Sequence, residues 1–225
     1  MFIFQRILFI AVIGIAGFLL YKRIKQIRNN IHLGRDQQIK DNPSLRWKNV
    51  LLIALGQKKM FSKPIPAILH LTLYVGFLVI NIEVLEFIID GFTGIHRTFA
   101  HGLAAIGGTA VYTIALNFFE FLAILVILSC AVFLIRRNIL KVGRFSGLEM
   151  TRWPKLDANL ILIFEIVLMF AILTMNAADQ VLQSRNVVDY PQTGLMVFSD
   201  ILILPFIQNL STSALVILER IAWWL

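Results

Sequence analysis

Residues 65–89, IPAILHLTLYVGFLVINIEVLEFII, decide the fold class of this chain. The run is apolar over nearly all of its length, and a helix needs about 20 such residues to cross a bilayer. The whole chain has the same character, with 58% hydrophobic residues, 15% charged residues and a mean hydropathy of +0.79. A soluble domain carries about 25% charged residues. We therefore expect an all-α integral membrane protein, built as a polytopic helix bundle.

Five apolar runs predict about five transmembrane helices, at residues 2–20, 65–89, 112–135, 159–178 and 211–225. The first run ends in YKR at residues 21–23 and has no clear cleavage site, so we interpret it as a retained anchor. The last run is still apolar at Leu225, which indicates a chain truncated within a helix. The stretches 101–111 and 195–207 are too short to span, and they predict loops, re-entrant segments or interfacial helices.

The basic residues predict the orientation. Eleven of the 21 Lys and Arg residues lie in residues 21–64, and six more lie in residues 136–155. Because cytoplasmic loops collect positive charge, both segments are expected in the cytoplasm and the N-terminus outside. Within the first loop, residues 45–61 (LRWKNVLLIALGQKKMF) predict an amphipathic helix. It would bind either anionic lipid or a soluble redox domain.

Two features of the composition exclude other classes. The single cysteine, Cys130, rules out a disulfide framework. It also rules out an iron–sulfur or structural zinc site made mainly of this chain's thiolates. The net charge of +8 fits a membrane surface better than nucleic acid, given the hydropathy.

His70 is the first candidate for chemistry, because it lies five residues into the second predicted span. Ionisable groups inside a bilayer are costly and therefore mark functional candidates. A neutral imidazole at that depth suits an axial ligand of a b-type haem iron. The alternative is a histidine hydrogen-bonded to a neighbouring carbonyl.

Glu83 and Glu86 form a second candidate site near the outer end of the same span. They are three residues apart and share one helix face. His96, His101 and Glu120 are expected at a similar level. Carboxylates and a histidine there would accept the protons released by quinol at an apolar cleft. The alternative is that these are interfacial polar groups. In the fifth predicted span, Arg220 would face a partner on another helix or a haem propionate.

Four stretches resemble the membrane domain of bacterial membrane-bound iron–sulfur oxidoreductases. They are residues 54–102 (ALGQKKMFSKPIPAILH and onward to FAHG), 133–145 (FLIRRNILKVGRF), 149–169 (EMTRWPKLDANLILIFEIVLM) and 217–225 (ILERIAWWL). This domain is similar to the gamma subunit of respiratory nitrate reductase, a cytochrome b-type protein. The resemblance covers nearly the whole chain.

The resemblance implies a multi-pass domain of the bacterial inner membrane within a quinol-linked oxidoreductase. It would pass electrons from menaquinol or ubiquinol, through b-type haem, to iron–sulfur clusters on a cytoplasmic domain or partner absent from this chain. His70 matches the family's second-helix haem ligand. The next histidine of that helix has no counterpart, since the stretch reads VINIE, and His101 is the candidate substitute. The family's fifth-helix ligands would lie beyond Leu225.

The sequence leaves two alternatives to electron transfer. In the first, the helices form a haem-free membrane anchor for an iron–sulfur oxidoreductase domain. The second is a transporter, which the sequence disfavours. No inverted repeat is visible, and the acidic residues collect toward one side of the bilayer.

Overall fold

The computed structural model describes residues 3–34, 42–58, 61, 64–140 and 153–225. Within those ranges every regular element is a helix, which confirms the all-α prediction. The chain divides into two compact units. The first holds residues 1–68 and 91–94, and the second holds residues 69–90 and 95–225.

The first unit begins with α1 (Ile3–Ile31), which has no buried residue and which is apolar on every side over residues 7–20. Such a helix suits contact with lipid on all sides. The Arg6 guanidinium donates to the carbonyl oxygen of Phe92 at 2.7 Å. Where residues 45–61 predict an amphipathic helix, the structure has α2 (Pro43–Asn49) continued by a π-helical segment, Val50–Leu55. Both segments are exposed throughout.

The second unit is a bundle built around three long helices. The elements are α3 (Pro64–Thr93, whose residues 69–90 belong here), α4 (Thr98–Ala105), α5 (Thr109–Asn138), α6 (Trp153–Ser184), α7 (Val197–Leu202), α8 (Leu204–Ile207) and α9 (Thr212–Trp224). Ile80, Val126 and Met169 pack together in its core. A Cβ atom on Gly76 would lie 2.6 Å from Val126 Cγ2, so this glycine permits the close approach of α3 and α5.

Four helices are long and apolar enough to cross a membrane, namely α1, α3, α5 and α6. The chain is therefore a candidate multi-pass membrane protein, with one span fewer in its described residues than predicted. The predicted fifth span is α9, a helix of 13 residues. It begins after Ser211, whose hydroxyl accepts the Ala214 N–H at 3.2 Å.

The two apolar stretches that were predicted not to span are short helices. The first holds α4, which ends in a turn where Gly107 adopts φ +75°. The second holds α7 and α8, of 6 and 4 residues. These interruptions place loop and short-helix side chains against the ends of α3, α5 and α6.

Candidate functional site

Ionisable side chains form a buried polar cluster in the second unit. Six of the chain's 13 acidic residues belong to it, and each is less than 5% exposed: Glu83, Glu86, Asp90, Glu120, Asp179 and Glu219. Arg97, which is 0% exposed, is the one fully buried base in the described ranges. Around these lie His96, Tyr112, Asn176, Tyr190 and Ser199. Buried charges are stable only when they are paired and hydrogen-bonded, so their partners decide what each group can do.

Arg97 is placed by the turn between α3 and α4. Its backbone is left-handed, with φ 57° and ψ 57°, which is uncommon for a residue with a side chain. Asp90, on the last turns of α3, fixes this turn. Its two carboxylate oxygens accept the N–H of Arg97 at 2.8 Å and of Thr98 at 2.9 Å. The acidic end of α3 therefore folds the chain back and directs the guanidinium into the bundle.

The Arg97 guanidinium joins three helices. Its Nε donates to Asp179 Oδ2 on α6 at 3.0 Å, and its Nη1 lies 3.4 Å from Glu83 Oε1 on α3. Its Nη2 donates to the side-chain oxygen of Asn176, and Nη1 lies 3.5 Å from the Tyr112 hydroxyl on α5. Burial disfavours the charged form, but Tyr112, Asp179 and Glu83 together hold the pKa of Arg97 well above its usual value. Arg97 therefore stays cationic.

Glu83 and Glu86 are the predicted proton acceptors, and both are buried beside this guanidinium at 1% exposure. Both side chains are therefore packed inside the second unit. Glu86 is fully engaged, because the Tyr112 hydroxyl donates to it at 2.7 Å and the Phe99 N–H at 2.8 Å. Glu83 differs, since its Oε2 atom is buried and has no hydrogen-bond partner among the described residues. That oxygen can take up a proton without breaking an existing hydrogen bond.

Glu120 holds the start of α7. It accepts the backbone N–H groups of Phe198 at 3.0 Å and Ser199 at 3.2 Å, together with the Ser199 hydroxyl. Asn176 also donates to it at 3.1 Å. Because backbone N–H groups at a helix start lack partners within the helix, a carboxylate there is stabilising. We assign Glu120 to the architecture of the site.

His96 joins the cluster from the loop after α3. Its Nε2 lies 3.1 and 3.0 Å from the two oxygens of Asp179, and its Nδ1 lies 3.9 Å from Glu219 Oε1 on α9. The Tyr190 ring packs edge-on against the imidazole at 4.9 Å, and its hydroxyl donates to Glu219 at 3.1 Å. Burial lowers the pKa of His96, but Asp179 and Glu219 outweigh it, so the pKa is raised overall.

The other predicted site residues lie outside this cluster. His101 is exposed on α4, and Arg220 is partly buried on α9. His70 is exposed on α3, with the Phe133 ring at 4.5 Å. It precedes Glu83 by 13 residues, or roughly 20 Å along the helix axis. The two candidate sites on α3 are thus separate.

A b-type haem at His70 needs a second axial ligand from a facing element. Of the other histidines, His96 is held by Asp179, His101 lies on α4 after the opposite end of α3, and His32 belongs to the first unit. The described residues therefore offer one axial ligand, and a haem held by two histidines of this chain does not fit them.

The sequence and structure were also compared with known proteins. Scans against protein-family models, curated proteins and solved structures each gave no match.

Proposed function

We propose that this chain is a membrane electron-transfer domain of the bacterial inner membrane, in which the buried polar cluster accepts the protons of a quinol. One observation carries the proposal: Glu83 is buried beside Arg97, and one of its carboxylate oxygens has no hydrogen-bond partner in the part of the chain that the structure describes. Oxidation of a quinol releases two electrons and two protons. A site for it needs proton acceptors that water does not already occupy.

In this proposal Glu83 is the first proton acceptor and Glu86 supports it. The Tyr112 hydroxyl and the Phe99 N–H hold the Glu86 carboxylate in place beside the guanidinium. The substrate would be menaquinol or ubiquinol, and the electrons would pass to iron–sulfur clusters on a cytoplasmic protein or domain.

A b-type haem would supply one-electron transfer between the quinol and those clusters. His70 would contribute one of its axial ligands, and the other ligand would have to come from another segment or chain. No step of the proton chemistry depends on this haem. A haem-free membrane anchor is the second candidate, and the exposure of His70 beside Phe133 favours it. Haem content of wild type against His70→Ala separates the two.

The proposal is tested by the binding of a fluorescent quinol analogue, 2-heptyl-4-hydroxyquinoline N-oxide, to the whole chain in lipid nanodiscs. We expect saturable quenching for the wild type. Glu83→Gln should weaken binding about tenfold, because a hydrogen bond to a charged group contributes roughly 1.5–3 kcal/mol. Glu165→Gln is the matched control, since it changes a half-buried carboxyl group on α6 outside the cluster. Quenching that never saturates, or that both variants leave unchanged, would refute the quinol site.

A further inference from the structure

We infer that His96, Asp179 and Glu219 form a binding site for a divalent transition-metal ion of the zinc type. One ligand atom from each residue lies within 4.8 Å of the other two. The three residues come from three separate segments: the loop after α3, helix α6 and helix α9. This site is distinct from the proton acceptor proposed at Glu83.

The donor set fits zinc. Imidazole nitrogen and carboxylate oxygen bind Zn²⁺ at about 2.0–2.2 Å, which places neighbouring ligands roughly 3.0–3.5 Å apart. One ion binds only one of the two imidazole nitrogens. The His96 Nε2 and Asp179 Oδ1 atoms are 3.1 Å apart. With one ligand atom taken from each residue, the His96, Asp179 and Glu219 atoms all lie within 4.8 Å of one another. An imidazole in the set favours a transition ion over Mg²⁺ or Ca²⁺, which prefer sites made of oxygen alone.

Arg97 and Tyr190 each hold one oxygen of a candidate ligand, Asp179 and Glu219 respectively, and the second oxygen of each carboxylate remains for a metal. Both Asp179 oxygens lie close to His96 Nε2, at 3.1 Å for Oδ1 and 3.0 Å for Oδ2, and Arg97 Nε holds Oδ2 at 3.0 Å, so Oδ1 is the oxygen offered to a metal. The Tyr190 hydroxyl holds Glu219 Oε2 at 3.1 Å, while Oε1 is the oxygen nearer His96. Metal-binding carboxylates are themselves hydrogen-bonded in this way, because the outer partner fixes the direction of the ligand.

Charge and access support the same inference. The buried polar cluster holds six carboxyl groups, against one guanidinium and one imidazole. Acid groups in that excess are costly to bury unless protons or a cation compensate them. The His96 side chain is 18% exposed, whereas Asp179 is 0% and Glu219 is 5% exposed. An ion would therefore enter on the imidazole side and reach two carboxylates that are already in place.

The test is zinc binding by the whole chain in nanodiscs, after treatment with a chelator, followed by calorimetry. We expect one Zn²⁺ per chain with weaker binding of Mg²⁺, and an X-ray absorption spectrum with nitrogen and oxygen ligands but no sulfur. Glu219→Gln removes one ligand and should raise the zinc dissociation constant more than tenfold. Tyr190→Phe removes only the outer partner and should raise it about tenfold.

Two further variants serve as a control and as a replacement for Glu219→Gln. His101→Gln changes an exposed histidine on α4 and should leave zinc binding unchanged. His96→Gln removes a ligand without touching the pairing of Arg97 with Asp179, so it replaces Glu219→Gln if that variant does not fold. The absence of wild-type binding, or binding that both His96→Gln and Glu219→Gln leave unchanged, would overturn the inference.

Discussion

Helix α3 carries two ionisable residues, His70 and Glu83, that the sequence marks equally as candidate site residues. Their surroundings in the structure are very different. His70 is exposed, and its ring packs beside that of Phe133. Glu83 lies in the same apolar run, but it is 1% exposed and faces the Arg97 guanidinium. An ionisable residue in a predicted span therefore does not by itself indicate a functional site. Whether it enters a site depends on partners that other segments bring to it.

The largest effect should come from Arg97→Met, which removes the guanidinium that pairs with Glu83 and Asp179. We expect a loss of about 3–5 kcal/mol, because removing one member of a buried ionic group leaves the others unpaired. Unfolding in SDS can be followed with a thiol-reactive dye, since Cys130 is the only cysteine and is 0% exposed. A loss below about 1 kcal/mol would show that the cluster does not depend on the guanidinium.

Asp90→Ala should have the next largest effect. It removes the acceptor of two backbone N–H groups, those of Arg97 and Thr98, and frees the left-handed turn. We expect a loss of about 1–3 kcal/mol in the same dye assay, which is the cost of leaving buried donors unsatisfied. Asp157→Ala is the control, because Asp157 is an exposed acid on α6. Equal losses in the two variants would contradict the role given to Asp90.

The pH dependence of the chelated protein should show a smaller effect, through His96. Its pKa in the folded chain is raised above the ordinary value of 6.5. The stability it contributes is therefore fully present below pH 6.5 and is lost as the pH rises through the raised value. We expect unfolding to become easier over that range, and His96→Gln to flatten the dependence. A wild-type dependence equal to that of His96→Gln would contradict this assignment.

His70→Ala should have the smallest effect on folding, below about 0.5 kcal/mol, because the side chain is exposed and its ring lies beside that of Phe133 at 4.5 Å. The dye assay measures this directly, with Phe133→Leu as a companion variant. A loss above about 1.5 kcal/mol would mean that His70 has a structural partner, and the contrast between the two ends of α3 would weaken.

The apolar runs predicted much of this fold. Helices α1, α3, α5 and α6 match four predicted spans, and the short helices fall where the sequence predicted interruptions. Each long helix runs past its predicted limit at one or both ends, since polar residues such as Asp90 continue a helix beyond its apolar stretch. The predicted fifth span, residues 211–225, is helix α9, which begins after the Ser211 cap where the sequence predicted its start.

The site was predictable only in part. The spacing of Glu83 and Glu86 placed them on one face, and the structure buries both. Arg97 and His96 were missed as central residues because they lie in a loop, outside every predicted span. Their partners are 82 and 83 residues away in the chain, so no local pattern reports these pairings. The available signal was a lone arginine in a segment otherwise poor in bases.

The separation between Arg97 and Asp179 also bears on how the protein is made. Arg97 leaves the ribosome 82 residues before its partner. During that interval the guanidinium has its local acids but lacks the carboxylate of α6, and an unpaired charge is costly at bilayer depth. We expect the turn after α3 to wait at the aqueous boundary until α6 is inserted. Assembly of the second unit would then be completed in a single late step.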